Sequence, residues 1–212
     1  FGHQQREVCG FIATPNSPSC GAYGVKLYLP NGNPINKTRG LFSKALMDTN
    51  PRLPVEESGR LNDAGLRENF IMRVFTLYRW KQLISRGITA KALVQFHSRH
   101  KYLLMSRNYS AYRELGRLVA NLDKSSLDTI AENYIDGLMS ALATPPERGT
   151  QCNVLQHLMG YVKQKLDKHD KQELLTSIED YRTGVVPLIV PIALLRHHLN
   201  RNAEQNDYAL QQ

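Results

Sequence analysis

The chain has 212 residues, of which 42% are hydrophobic and 22% are charged, as expected for a folded globular protein and not for a disordered one. It carries 27 basic and 19 acidic residues, and the net charge of +8 favours an anionic partner without identifying one. Every apolar run is shorter than the roughly 18 residues that span a bilayer, so we expect no membrane segment.

The N-terminal part predicts two strands separated by a loop that carries a cysteine. Apolar residues dominate 8–14, and an alternating pattern follows at 25–29. Between them Pro18 and Gly21 favour a tight turn, with Cys20 at its tip. A cysteine beyond the end of a strand lies where open α/β sheets bind ligands. An ordinary loop with an incidental cysteine fits the spacing equally well.

The next segment predicts a short helix, an extended stretch and one long helix. The short helix covers 41–47, and the extended stretch covers 51–59. The long helix is capped by Asn62 or Asp63, and apolar residues recur at helical spacing up to Gly87. We expect this helix to connect two domains, because the strand patterns stop before it.

Beyond Gly87 the pattern is helical throughout. Thr89 caps the first of these helices. One face of that helix carries Leu93, Phe96, His100 and Leu104. Further helices are predicted over 110–121, 126–142, 151–167, 170–182 and 187–200. The predicted fold class is therefore α+β, a partial α/β segment followed by an all-α helical bundle.

The first part of the chain contains a series of motifs that points to one family. They are Cys9-Gly10-Phe11-Ile12, Ser17-Pro18-Ser19-Cys20-Gly21, Val25-Lys26-Leu27-Tyr28, Gly40-Leu41-Phe42, Leu53-Pro54-Val55-Glu56-Glu57, Gly59-Arg60-Leu61-Asn62-Asp63 and Leu66-Arg67-Glu68-Asn69-Phe70. This series resembles the second half of the thiouracil/4-thiouridine desulfidase (TudS-type) domain. The resemblance assigns residues 1–80 to the C-terminal part of such a domain.

A second series of motifs lies in the helical part. It consists of Phe96-His97-Ser98-Arg99-His100-Lys101, Leu115-Gly116-Arg117-Leu118-Val119, Asn153-Val154-Leu155-Gln156-His157, Gly160-Tyr161-Val162-Lys163, and Val186-Pro187-Leu188 through His197-His198-Leu199. These motifs resemble the YbgA-like α-helical domain, which the resemblance places at 81–212. The two domains in this order are similar to the bacterial tRNA 4-thiouridine desulfidases (RudS-type).

The resemblance implies an enzyme with an iron–sulfur cofactor. The family uses a 4Fe–4S cluster, without redox chemistry, to convert 4-thiouridine in tRNA, or a free thiouridine nucleotide, to uridine. On this basis Cys20 is one cluster ligand, and Ser17 is expected to handle a proton, ahead of Ser19. The implied partners are tRNA and the thiolated uridine. The implied location is the cytoplasm, which suits an odd number of cysteines without disulfide spacing.

The cysteines match the family pattern only in part. Cys20 alone matches a family ligand, whereas Cys9 lies in the preceding strand, pointing into its core, and Cys152 lies in the helical part. The chain begins at Phe1, where the first half of the domain should already have ended. We therefore expect a piece of a longer protein, with the other ligands upstream of Phe1. We also expect that this piece by itself holds no intact cluster and is inactive.

A basic segment of the helical part, here called the basic belt, is the predicted tRNA surface. It carries Arg86, Lys91, Arg99, Lys101, Arg107, Arg113 and Arg117 against the single acid Glu114. The proposed phosphate contacts are Arg99, Lys101, Arg107, Arg113 and Arg117, together with Lys163. Tyr102, Tyr109 and Tyr112 lie between the charges and could stack on bases. The alternative is a solvated helix surface, in which case the chain needs no nucleic acid.

Two further groups have structural alternatives as well. The carboxylates of Glu56 and Glu57 could assist catalysis, but a solvated pair is favoured. His97 and His100 have a spacing that suits metal ligation, but buried, hydrogen-bonded imidazoles are favoured. The alternative to the enzyme as a whole is a non-catalytic helical module that binds nucleic acid or another partner.

Overall fold

The computed structural model describes residues 8–122 and 126–201 and is largely helical. Its strands are β1 (Phe11–Ala13), β2 (Val25–Tyr28), β3 (Pro34–Thr38) and β4 (Val55–Glu57). Its helices are α1 (Leu41–Thr49), α2 (Ala64–Ser85), α3 (Ala90–Met105), α4 (Tyr109–Ala120), α5 (Leu127–Leu142), α6 (Arg148–Met159), α7 (Lys168–Thr183) and α8 (Ile189–Arg201). Among the described helices, none combines the length and the apolar character that crossing a membrane requires.

The strands form two small sheets of two strands each. β1 pairs in parallel with β4, with Phe11 opposite Val55. β2 pairs antiparallel with β3, with Val25 opposite Thr38. The two strands that flank the loop of Cys20 therefore do not pair with each other, and each finds a partner later in the chain. β3 was not predicted, because its residues are all exposed and lack an alternating apolar pattern.

The helix boundaries follow local capping signals. The Asp63 carboxylate accepts a hydrogen bond from Leu66 N at 2.9 Å, so Asp63 caps α2 and Asn62 does not. Thr89 caps α3 as predicted, with Ala92 N donating to its hydroxyl at 3.1 Å. α7 ends at Gly184, whose φ of +89° suits glycine. The helix predicted over 151–167 is shorter, because α6 ends at Met159 and turns follow it.

The described residues divide into two compact units. The first contains 8–88 with 135–145, and the second contains 89–122, 126–134 and 146–201. The sequence-based boundary between residues 80 and 81 falls within α2, which lies wholly in the first unit.

Each unit has an apolar interior of its own. Buried side chains of the first unit include Ala13, Ala22, Val55, Leu77, Trp80 and Leu138. Those of the second unit include Leu93, Leu104, Tyr134, Val162, Leu174 and Leu195. The predicted apolar face of α3 is confirmed, because all four of its members are buried.

Candidate functional site

The segment 14–24, here called the cysteine loop, is fastened to the N-terminus of α1. Leu41 N and Phe42 N donate to the carbonyl oxygens of Pro18 and Ser19 at 3.1 and 2.9 Å. The hydroxyl of Ser43 donates to the carbonyl oxygen of Cys20 at 2.7 Å. N–H groups at the start of a helix have no partner within the helix, so these bonds satisfy the helix and the loop together. The loop is therefore held in one conformation by main-chain contacts.

Two glycines allow close main-chain contacts, Gly40 between the loop and α1 and Gly21 within the loop. A Cβ at Gly40 would lie 2.3 Å from the carbonyl oxygen of Ser19, and a Cβ at Gly21 would lie 2.8 Å from that of Ser17. Gly40 N also donates to the carbonyl oxygen of Gly21 at 2.8 Å. Any side chain at Gly40 would push the loop away from the helix.

The predicted residues Ser17, Ser19 and Cys20 lie together in this loop. Cys20 N donates to the hydroxyl oxygen of Ser17 at 3.0 Å, so Ser17 keeps its own proton for donation. The thiol of Cys20 contacts the hydroxyl oxygen of Ser19 at 3.7 Å. Cys20 is partly exposed, so a ligand can reach its sulfur.

The two glutamates of β4 correct the interpretation of a solvated pair, since both are buried. Glu57 Oε1 accepts Ala22 N at 3.0 Å and Tyr23 N at 2.8 Å, which fixes the chain directly after Cys20. Glu56 Oε1 accepts Arg60 Nε at 2.7 Å. Spacing alone gave no signal for these contacts, because the partners of Glu57 lie more than 30 residues away. Its carboxylate therefore positions the cysteine loop.

The three cysteines have different surroundings. Cys9 is partly buried and precedes β1, so it lies next to the strand predicted to contain it. Cys152 is buried in the second unit, where its thiol donates to the carbonyl oxygen of Ile178 at 3.7 Å and burial raises its pKa. Within the described residues, no group of three possible metal ligands includes Cys20. These residues therefore offer one ligand for an iron–sulfur cluster at this loop, and not three.

The basic belt and Lys163 are mostly exposed. Arg99 lies on α3, Arg113 and Arg117 lie on the exposed side of α4, and Lys163 follows α6. Across 8–122 and 126–201, no ion pair involves any of these four side chains. The remaining two predicted contacts differ: Lys101 and Arg107 are partly buried.

The tyrosines of the belt divide into two kinds. The hydroxyl of Tyr102 shares a hydrogen bond of 2.7 Å with that of Tyr161, so Tyr102 serves the packing of the second unit. Tyr109 is 56% exposed and lies against Tyr112, with ring centroids 5.6 Å apart. Tyr109, one turn before Arg113, and Tyr112, directly before it, are therefore the rings that a base can reach.

The histidines differ from one another. His100 is buried and its Nδ1 bonds to the carbonyl oxygen of Phe96 at 2.8 Å, which agrees with the favoured structural interpretation. His97 bonds to the hydroxyl of Tyr134 at 3.2 Å, and burial together with the charge of Lys101 lowers its pKa.

A different histidine joins a group of possible metal ligands that the sequence analysis did not single out. His169, Asp170 and Glu173, in the first turns of α7, place ligand atoms within 4.8 Å of one another. The histidine and the glutamate are exposed, and this group contains no thiolate. Exposed groups of this kind are common without a metal, so it adds nothing to the cysteine loop.

Comparison with known proteins gives one family match, in the helical part, and one curated relative. The model of a family described as "Protein of unknown function (DUF1722)" matches residues 101–212. The uncharacterized protein YbgA of Escherichia coli (strain K12) is 30% identical over 133 residues, which cover 62% of this chain and 79% of that protein. No solved structure matches. The YbgA-like prediction is thus confirmed, while neither match names an activity.

Proposed function

We propose the function of this chain, a member of the DUF1722 family, from the resemblance of its first part to the TudS-type domain and from the geometry of the cysteine loop. It is part of a desulfidase that converts 4-thiouridine in tRNA, or a free thiouridine nucleotide, to uridine. The cysteine loop carries the chemistry, and the helical part binds tRNA. One observation carries this proposal: a partly exposed thiol that directly follows Ser17-Pro18-Ser19 in a loop held in place by α1 and Glu57.

The cofactor in this proposal is a 4Fe–4S cluster with Cys20 as one thiolate ligand. The described residues fit it only in part, because they bring no set of three ligands to Cys20. The other ligands therefore belong to polypeptide outside the described residues. A cluster with an open iron supplies a Lewis acid for the sulfur of a thiocarbonyl group.

The serines have separate roles in this proposal. Ser17 accepts the N–H of Cys20, which leaves its hydroxyl proton available to a base bound at the loop. Ser19 contacts the sulfur of Cys20 and orients it. Glu57 acts as a positioning residue, since its carboxylate oxygen is occupied by two main-chain N–H groups.

The alternative, a nucleic-acid-binding module without catalysis, is favoured by one observation in the second unit. Arg99, Arg113, Arg117 and Lys163 are exposed and form no ion pair within the described parts of the chain. Such side chains can release counterions from a phosphate backbone, and this needs no cysteine loop. The enzyme and the module thus share the tRNA surface and differ in what happens to the base.

The test is desulfuration by a longer polypeptide that supplies the remaining cluster ligands, purified without oxygen and analysed for iron. It is incubated with tRNA that contains 4-thiouridine, and the nucleosides are quantified after digestion. We expect loss of 4-thiouridine and an equal gain of uridine. Cys20→Ser should abolish this conversion, while Cys9→Ser, the matched thiol control, should retain it. Ser17→Ala should slow turnover by about 10²-fold at unchanged iron content. Iron-containing protein that binds the tRNA and leaves its 4-thiouridine intact would establish the module instead.

A further inference from the structure

An arginine whose Nε is buried without a hydrogen-bond partner lies near the cysteine loop. Arg73 is on α2, and its Nε is buried and makes no hydrogen bond within the described residues. Burial lowers the pKa of Arg73, against the opposing effects of Tyr23 and Glu56. A guanidinium withdrawn from water is costly unless an anion reaches it. The position therefore calls for a negatively charged ligand.

Two more arginines lie around Tyr23, three residues after Cys20. Cζ of Arg60 lies 5.1 Å from the centroid of the Tyr23 ring. Burial raises the pKa of Tyr23, and the charges of Arg60, Arg73 and Arg39 oppose that rise, so all three lie within electrostatic reach of its hydroxyl. Arg39 directly precedes Gly40, whose N–H is bonded to the cysteine loop. The three cations thus converge on the side of the loop that follows Cys20.

The nearby carboxylates balance this group only in part, because three arginines face the two glutamates Glu56 and Glu57. Glu56 is paired with Arg60, and Glu57 Oε1 accepts the two main-chain N–H groups. Arg73 and Arg39 form no ion pair with any described residue. One net positive charge therefore remains beside the loop, with the exposed Arg39 and the partly buried Arg73 outside any ion pair of the described residues.

We propose that Arg73 and Arg39, with Arg60 beside them, bind the phosphate group of the nucleotide whose base enters the cysteine loop. Guanidinium groups present planar arrays of donors that match phosphate oxygens. The inference rests on the proposed function for the identity of the base, but the phosphate contact itself requires no cluster. It makes the substrate a phosphorylated nucleotide or an RNA residue, and not a free base or nucleoside.

The affinity for uridine monophosphate, the product of the proposed reaction on a free nucleotide, tests the phosphate contact directly. Isothermal titration calorimetry of the whole chain separates the contribution of the base to binding from that of the phosphate. The four ligands are uridine monophosphate, uridine, inorganic phosphate and a dinucleotide with one internal phosphodiester. We expect uridine monophosphate to bind at least about tenfold more tightly than uridine. Arg73→Gln should remove this difference and leave uridine binding unchanged. Arg79→Gln, an exposed arginine on the same helix, is the matched control and should change nothing.

The outcomes separate this inference from the desulfidase proposal. Equal binding of uridine monophosphate and uridine, or an unchanged monophosphate affinity in a folded Arg73→Gln variant, would overturn the phosphate site. If Arg73→Gln does not fold, the exposed Arg39→Gln must weaken monophosphate binding severalfold, and an unchanged affinity overturns the site equally. Phosphate-dependent binding by this chain, combined with intact 4-thiouridine after incubation with the longer, iron-containing polypeptide, would refute the desulfidase and retain the site. Desulfuration combined with equal binding of uridine monophosphate and uridine would retain the desulfidase and refute the phosphate site. Tighter binding of the dinucleotide than of the monophosphate identifies an internal RNA phosphate as the ligand.

Discussion

Gly40→Ala tests the close contact that holds the cysteine loop. The backbone of Gly40, at φ −60° and ψ 148°, suits alanine, so the cost is steric. The added Cβ would lie 2.3 Å from the carbonyl oxygen of Ser19. A comfortable C···O contact is about 3.3 Å, so the loop must move by about 1 Å. That movement breaks the hydrogen bonds from Leu41 and Phe42. Lost bonds and overpacking together should destabilise the first unit by about 2–4 kcal/mol.

Trp80 makes this prediction measurable in the first unit alone. It is the only tryptophan of the chain and is buried on α2, so its fluorescence during urea unfolding reports that unit. Alkylation of Cys20, followed by peptide mass spectrometry, should accelerate at least about tenfold, since the loop opens more often. Gly149→Ala is the control, because that helical position has open space around it and alanine stabilises by up to about 1 kcal/mol. An unchanged unfolding midpoint and Cys20 alkylation rate in Gly40→Ala would refute the reasoning.

Three further predictions concern single contacts. Glu57→Ala leaves two main-chain N–H groups without their acceptor and should lower the free energy of unfolding by about 2–5 kcal/mol, measured by tryptophan fluorescence. Glu57→Gln should lower it less, because the amide oxygen can still accept. Equal losses in the two variants would contradict this. The double variant Arg113→Ala, Arg117→Ala should lower the slope of log K for tRNA against log salt by about two units, while Arg182→Ala, whose side chain is paired within α7, should not. An unchanged slope would mean that the basic belt is a solvated surface that does not contact tRNA phosphates. Burial first, and then a neighbouring lysine, lower the pKa of His97 below its ordinary 6.5. The contribution of neutral His97 to stability is thus present above pH 6.5 and is lost as the pH falls through the folded pKa. His97→Gln should therefore weaken the decrease in the free energy of unfolding at low pH, measured by circular dichroism. An identical pH dependence in the variant would contradict this.

The sequence predicted the features that short-range chemistry determines. Asp63 and Thr89 cap their helices through contacts three residues away, and the apolar face of α3 follows from helical spacing. The pairing of β1 with β4 and the bonds of Glu57 join residues more than 30 positions apart. No local pattern specifies such contacts.

Arg73 is a partial exception to that limit. It occupies the same helical stripe as Phe70 and Leu77 of α2, so a cation on an otherwise apolar face was visible in the sequence. Its missing hydrogen-bond partner is visible only in the structure.

The most direct test of the central claim is to map where the thiolated base meets the protein. 4-Thiouridine crosslinks to adjacent side chains under near-ultraviolet light, so irradiated complexes with thiolated tRNA can be digested and the modified peptide identified by mass spectrometry. We predict a crosslink within 17–23, around Cys20 and Tyr23, that is lost when unthiolated tRNA replaces the substrate. Crosslinks confined to the helices that carry Arg99, Arg113 and Arg117, with none in the cysteine loop, would contradict the desulfidase account.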